Sequence, residues 1–152
     1  MKKIVSFLFI FLAITNAGGG KIYAQKHKPD DIVGVWLNEE RNAKVQVYKE
    51  ADKYFGKVIW LKEPLDPATG KPKTDHLNPD VKQRDNPRLG LIVLKNFIFD
   101  GDDEWNKGTI YDPNNGKTYS CYIHFETTQI LKIRGYIGIS ILGRTTNWFK
   151  TY

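Results

Sequence analysis

Two strands and the turn that joins them can be read in residues 108–125, which have the sequence GTIYDPNNGKTYSCYIHF. Apolar and polar side chains alternate on both sides of residues 112–116, and a period of two is typical of a half-buried strand. In DPNNG, proline presets φ, aspartate accepts backbone N–H bonds, and glycine takes the left-handed position. The stretch therefore predicts an antiparallel β-hairpin.

The same alternation recurs from residue 31 onward, and no stretch of ten or more residues keeps a helical period. Gly56 lies inside one of these stretches and indicates a bulge or a close backbone approach. Seven to nine short strands with tight turns are typical of an all-β closed barrel or sandwich. The predicted strands cover residues 32–37, 43–49, 54–61, 91–94, 96–99, 105–111, 118–125, 130–136 and 145–152.

Length and composition narrow the class of protein. The chain has 152 residues, of which 41% are hydrophobic and 13% aromatic, so we expect one domain with its own core and not a disordered chain. One cysteine, Cys121, excludes an intramolecular disulfide framework and a zinc site built mainly from cysteine. The histidines show no zinc spacing, and neither a metal nor a cofactor is expected.

Residues 1–24 have the features of a secretory signal peptide. Two lysines precede an apolar run over residues 4–14, which is too short to span a bilayer. Cleavage is predicted after Ala24, with Ala17 as the alternative site and an uncleaved membrane anchor as the alternative reading. We expect the mature chain, residues 25–152, to be soluble, without a transmembrane span, and periplasmic or secreted.

Loss of the signal peptide changes the charge balance. It removes three lysines, so that 20 basic side chains face 17 acidic ones and the net charge falls from +6 to +3. The surplus is spread along the chain, whereas nucleic-acid binding requires a clustered basic stripe. A nucleic-acid partner is therefore not expected.

The strand pattern stops over residues 62–88, which hold five of the seven prolines. Loops of this length in a compact domain are uncommon and are often lids or binding loops. A plain surface excursion with one short helix is the alternative, and loop length alone does not decide between the two.

Short motifs spread in order over nearly the whole mature chain resemble one family. They are GVW at 34–36, GKVIWL at 56–61, TD at 74–75, NPD at 78–80, residues 84–90, GTIYDP at 108–113, RGYIG at 134–138 and GRT at 143–145. In this order they resemble the exported bacterial proteins grouped as domain of unknown function 2147. The resemblance implies a single up-and-down antiparallel β-barrel of the lipocalin or calycin type in the bacterial envelope, with about eight strands. It implies no activity.

Trp36 has a structural interpretation through this resemblance. Residues 34–36 are similar to the Gly-x-Trp opening of lipocalins, in which the tryptophan closes the barrel floor beneath an arginine from a late strand. Arg134 and Arg144 are the candidates for a cation over the indole face. We expect Trp36 to close the barrel and not to bind ligand.

Aromatic side chains on the predicted strands suggest a binding site. A barrel of about eight strands is either filled by side chains or holds one small ligand, and aromatic walls with a few polar groups suit an apolar ligand. We expect a small apolar or amphipathic molecule to contact Tyr54, Val58, Trp60 and Tyr111, with residues 62–88 over the mouth. Non-catalytic binding is the first hypothesis for function.

A hydrolase-type enzyme is the second hypothesis. Asp75, His76 and Asp80 in the long loop can act as general acid and base or as hard-metal ligands. The same residues form turns beside proline, and Arg84 and Arg88 are placed to pair with the carboxylates. The turn interpretation is favoured.

Two other features receive structural interpretations first. Alternation places Cys121 on the apolar face of its strand and His124 on the opposite face, so an inert buried thiol is expected and not a Cys-His pair. The acidic run 100–104 lacks the ligand spacing of a calcium loop and is expected to be a hairpin tip.

An apolar connection between glycines, residues 138–143, supports a third hypothesis. Exposed apolar loops mark contact surfaces, whereas a buried one would only cap the barrel. The protein could therefore act as an envelope protein-interaction module that uses this loop.

Overall fold

Eight antiparallel strands, each paired with the next along the chain, form one sheet that closes when β1 pairs with β8. The structure is a computed structural model and describes residues 27–152. The predicted signal peptide and its cleavage sites lie outside these residues. The strands are β1 (Gly34–Leu37), β2 (Ala43–Glu50), β3 (Lys53–Leu61), β4 (Ile92–Phe99), β5 (Glu104–Asp112), β6 (Lys117–Thr127), β7 (Ile130–Tyr136) and β8 (Gly143–Thr151).

The predicted all-β up-and-down barrel is confirmed, and the sandwich alternative is excluded by the closed pairing. The hairpin read in residues 108–125 is β5 and β6, paired from Asp112↔Lys117 upward. Three short 3₁₀ helices interrupt the strands, at Pro29–Ile32, Val81–Gln83 and Ser140–Leu142.

One prediction of two strands is wrong. The strands predicted at 91–94 and 96–99 form the single strand β4, Ile92–Phe99, which Leu91 precedes. Asn96 has a φ of 63°, a left-handed conformation that asparagine tolerates better than most residues. The break predicted at Lys95 is therefore only a local irregularity at the next residue, Asn96, and the strand continues through it.

Side chains that alternate along the strands fill part of the barrel interior. Val45 and Val47 on β2 are buried, and Ile123 on β6 is buried with them. Two glycines allow close packing, because a Cβ at Gly56 would lie 2.8 Å from the Leu94 side chain and one at Gly108 would lie 2.4 Å from the Phe97 ring. The β3–β4 register also shifts on both sides of Gly56, so the predicted bulge is present together with the close approach.

One end of the barrel is closed by the 3₁₀ helix Pro29–Ile32. The Trp36 indole N–H donates to the Ile32 carbonyl at 2.9 Å, and the Trp105 indole N–H donates to the Pro29 carbonyl at 3.0 Å. Both rings meet Phe125 edge-on, at centroid distances of 5.9 and 5.6 Å. The two tryptophans therefore fix the helix as a floor beneath the barrel.

The cation over the floor tryptophan differs from the expected arginines. Lys150 Nζ lies 5.7 Å from the centre of the Trp36 ring, because Lys150 on β8 is paired directly with Trp36 on β1. Arg134 lies late on β7 and Arg144 at the start of β8, near the other end of the barrel. The prediction that Arg134 or Arg144 covers Trp36 is corrected.

The other end of the barrel is open. Four connections surround it, formed by residues 38–42, 62–91, 113–116 and 137–142. Because each strand is antiparallel to its neighbours, these connections alternate along the chain with the short turns at the closed end. The open end therefore carries the longest connections between strands.

We predict that Trp36→Phe lowers the free energy of unfolding by about 2–4 kcal/mol, because it leaves the Ile32 carbonyl unpaired and a void beside Phe125. Trp60→Phe serves as the control. Trp60 is 39% exposed, and its replacement should change stability by less than about 0.5 kcal/mol. Urea unfolding followed by circular dichroism measures both. Equal losses in the two variants would contradict the role given to Trp36.

Candidate functional site

A cavity of about 900 Å³ occupies the barrel and opens at the end opposite the Pro29–Ile32 floor. The inner part of its wall is apolar, because inward positions of neighbouring strands carry aliphatic side chains. Val45 and Val58 face it from β2 and β3, and further apolar wall residues are Val93, Ile110, Ile133 and Trp148. Such a space is large enough for a small molecule.

The rim of the cavity is polar and carries both signs of charge. Lys73 Nζ lies 3.3 Å from a Glu63 carboxylate oxygen, and an Arg144 guanidinium nitrogen lies 3.5 Å from Glu40. Lys62 also lines the rim, and it has no carboxylate within 4.0 Å among residues 27–152. The rim therefore offers an ammonium group that is available to a ligand.

The four predicted ligand contacts lie in different places. Val58 lines the wall, and Tyr111 reaches the rim. Tyr54 is buried near the floor, where its hydroxyl donates to Asp30 Oδ1 at 2.6 Å. Ligand contact by Val58 and Tyr111 stays a prediction, whereas the structure places Tyr54 outside the cavity lining.

Trp60 also lies outside the lining, on the exposed surface beneath Lys44, whose Nζ is 5.8 Å from the ring centre. A bulge causes this position. Val45 pairs with Val58 while Lys44 pairs with Trp60, so the register shifts between Lys44 and Val45. Strict alternation from Val58 would point Trp60 inward, and the bulge reverses it.

The long loop is anchored against the turn between β5 and β6. Arg88 donates to the Thr74 carbonyl at 3.1 Å, to Asn114 Oδ1 at 2.8 Å and to the Pro113 carbonyl at 2.9 Å. Gly116 has a φ of +69°, and a Cβ there would lie 2.0 Å from the Leu77 carbonyl oxygen. The loop thus docks beside the mouth through close backbone contact.

Asp75 is the buried centre of this docking, with 0% of its surface exposed. One carboxylate oxygen accepts the Tyr111 hydroxyl at 2.7 Å, and the other accepts Asn78 Nδ2 at 2.6 Å. Burial, together with this hydrogen bond, raises the pKa of Tyr111 to about 12, so the phenol remains a donor at neutral pH. Both carboxylate oxygens are therefore occupied by structural partners.

The other residues of the enzyme hypothesis are not assembled around Asp75. Asp80 caps the Val81–Gln83 helix by accepting the Lys82 N–H at 3.0 Å, and His76 is exposed with Nδ1 3.4 Å from the Thr74 carbonyl oxygen. Within residues 27–152, no three histidine, cysteine or acidic side chains come together in a way that could hold a metal ion. The contacts of Asp80 and His76 agree with the interpretation of these residues as turn residues.

The arginines of this loop do not pair with the carboxylates as expected. Arg84 Nε donates to the Asn78 carbonyl at 2.8 Å, and Arg88 also binds backbone carbonyls. A loop without regular strand pairing has unpaired carbonyls, and a guanidinium with five N–H donors can satisfy several of them at once. The arginines hold the loop through its backbone.

Cys121 is buried as predicted, and burial raises the pKa of its thiol. His124 lies on the other face of β6, where it stacks with Tyr122 at a centroid distance of 6.1 Å. The predicted burial of the thiol and its separation from the histidine are confirmed, whereas its lack of reactivity stays a prediction.

Sequence reasoning missed most of the cavity wall. Ile110, Ile133 and Trp148 face the cavity, yet the predicted contacts were Tyr54, Val58, Trp60 and Tyr111. The alternation that placed Cys121 inward would have found Ile133, which is paired with the inward residue Ile123.

The closed barrel with a one-ended cavity is a lipocalin-like fold. The sequence matches a family described as "Uncharacterized protein conserved in bacteria (DUF2147)" over residues 34–150, and the chain belongs to this family. Its structure is similar to that of protein HP1028 from the human pathogen Helicobacter pylori, which is described as belonging to the lipocalin family. The TM-score is 0.67 and the identity 23%, over 79% of this chain and 82% of the other.

The comparison with curated proteins gives no significant match. The family match and the structural similarity thus establish the family and the fold, and neither of them assigns an activity. In the part of the chain that the structure describes, no helix has the length and apolarity required to cross a bilayer.

We predict that Asp75→Asn lowers the free energy of unfolding by about 1–3 kcal/mol. The new amide would keep an acceptor for Tyr111 but turn its NH₂ group toward the NH₂ group of Asn78. Asp80→Asn is the matched control and should change stability by less than about 0.5 kcal/mol, because asparagine caps helices as well as aspartate does. Thermal and urea unfolding measure both variants. A stable Asp75→Asn protein would contradict the anchoring role.

Proposed function

We propose that the protein binds a small apolar or amphipathic molecule in the barrel cavity without transforming it. The observation that carries this proposal is the cavity of about 900 Å³ with an apolar wall, a closed floor and a polar rim. Pockets of roughly 300–1,000 Å³ lined by apolar side chains with a few polar groups are typical of small-molecule sites. The lipocalin-like fold supports the same proposal.

The distribution of polarity in the cavity favours an amphipathic ligand. Each 100 Å² of apolar ligand surface removed from water contributes roughly 2.5 kcal/mol before the cost of association. The wall residues Val58 and Ile133 would supply this term, while the Lys62 ammonium group at the rim suits a polar or anionic end. The apolar body would then lie inward and the polar end at the mouth.

Binding is favoured over the hydrolase alternative by the contacts of the candidate groups. Both oxygens of Asp75 accept hydrogen bonds from the protein, and Asp80 caps a helix. The Cys121 thiol is buried with a raised pKa, which opposes formation of a nucleophilic thiolate. None of these groups faces the cavity.

We also propose that binding takes place outside the cytoplasm. The support is the predicted signal peptide over residues 1–24, with its basic start and short apolar run. The ligand would then be a lipid or another envelope metabolite, in the periplasm or in the surrounding medium. Cell fractionation with an antibody against the mature chain tests this location.

Native mass spectrometry of the protein, purified gently from its own envelope fraction, tests the binding proposal directly. A reproducible additional mass that disappears on solvent extraction would support it and give the ligand class. The extracted protein is then titrated with the fluorescent apolar probe 1-N-phenylnaphthylamine. A protein that carries no additional mass and does not bind the probe would overturn the proposal.

We predict that Val58→Trp weakens probe binding by about ten-fold or more, because the larger side chain occupies the apolar wall. Ile59→Trp is the matched control, since Ile59 is the next residue on β3 and points outward with 38% exposure. Its probe affinity should remain within about two-fold of the wild type. Equal weakening by both substitutions would place the probe outside the cavity.

A further inference from the structure

An apolar tip projects from the rim of the cavity between β7 and β8. We use this name for residues 137–142, four of which are aliphatic. Their exposed fractions are 64% for Ile137, 62% for Ile139, 76% for Ile141 and 75% for Leu142. Single exposed apolar residues are ordinary, whereas a contiguous cluster marks an interaction surface.

Three carbonyls of the tip accept hydrogen bonds from within the protein. Arg134 donates from Nε to the Ser140 carbonyl at 2.8 Å and from a terminal nitrogen to the Ile141 carbonyl at 3.2 Å. The Leu142 N–H donates to the Ile139 carbonyl at 3.2 Å. Three successive carbonyls thus have internal partners. These bonds lower the cost of moving the tip into an apolar surrounding, because lipid offers no hydrogen bonds.

The tip is continuous with the cavity. Ile137 and Leu142 line the mouth as well as being exposed, and the apolar wall continues inward to Ile133 and Trp148. An apolar molecule that leaves the cavity on this side therefore meets the tip before it meets water. This continuity favours a partner that itself dissolves apolar molecules.

The charge of the hairpin that carries the tip favours an anionic partner. Residues 130–151 contain four cations and no carboxylate. Two of the cations lie beside the tip: Arg134, which holds its carbonyls, and Arg144, whose side chain is 76% exposed and lies 3.5 Å from Glu40. Basic groups beside an apolar segment are attracted to anionic lipid headgroups.

We propose that the apolar tip docks on an anionic lipid bilayer. Ile139, Ile141 and Leu142 enter the boundary between headgroups and acyl chains, while Arg134 and Arg144 lie at headgroup level. The mouth of the cavity then faces the membrane. Docking itself does not require a ligand in the cavity, so it can be tested separately from the proposed binding function.

Flotation of the mature protein with vesicles tests the proposal. The vesicles contain three parts phosphatidylethanolamine to one part phosphatidylglycerol, and the wild type should float with them. The double variant Ile141→Ser, Leu142→Ser should partition at least about ten-fold less, because two exposed aliphatic side chains are lost from the contact.

The matched control compares one substitution at two places. Ile141→Ser removes an isoleucine of the tip, whereas Ile98→Ser removes an isoleucine that is 37% exposed on β4, near the closed end. Ile141→Ser should weaken flotation, and Ile98→Ser should leave it unchanged. Circular dichroism melting establishes that both variants are folded.

Three results would overturn the docking proposal: a wild type that does not float, equal loss in Ile98→Ser, or a concentration-dependent dimer that Ile141→Ser abolishes. The last result would assign the tip to a second copy of the chain.

Binding of 1-N-phenylnaphthylamine without vesicles separates the two proposals. If the protein binds the probe but does not float, the binding proposal stands and the docking proposal fails. If it floats but does not bind the probe, the docking proposal stands and the binding proposal fails.

Discussion

The structure depends on the two indole hydrogen bonds that hold the Pro29–Ile32 helix in the end of the barrel. A closed sheet of eight strands has no free edge, but it has two open ends that expose the interior to water. Trp36 and Trp105 donate to two carbonyls of this helix, and Ile32 within it is fully buried. The floor makes the interior a pocket instead of a channel.

Polar contacts hold the outer side of the same floor. The Asp30 carboxylate accepts the Tyr54 hydroxyl at 2.6 Å and Lys49 Nζ at 3.0 Å, and these hydrogen bonds keep the pKa of Asp30 below its ordinary value. The helix is thus held by the two tryptophans on its inner side and by the Asp30 hydrogen bonds on its outer side. Because the floor is fixed in both ways, the cavity can remain open at the other end without loss of the barrel.

Local periodicity predicted the fold but only part of the site. Alternation placed Cys121 in the core, and the DPNNG turn located the β5–β6 hairpin, because both features depend on neighbouring residues. Trp60 was misplaced, since one bulge between Lys44 and Val45 inverts every side chain beyond it. The cation over Trp36 was also missed, because pairing between the first and last strands depends on barrel closure, which no local pattern encodes.

The open end is shaped by arginines that bind carbonyls instead of carboxylates. Arg88 joins the long loop to the β5–β6 turn, and Arg134 joins β7 to the apolar tip. Irregular segments have unpaired carbonyls, and a planar guanidinium can satisfy two segments at once. Each bond here pairs a cation with a neutral acceptor, so salt weakens it less than it weakens an exposed ion pair. The rim can therefore keep its shape beside a charged surface, where competing ions are concentrated.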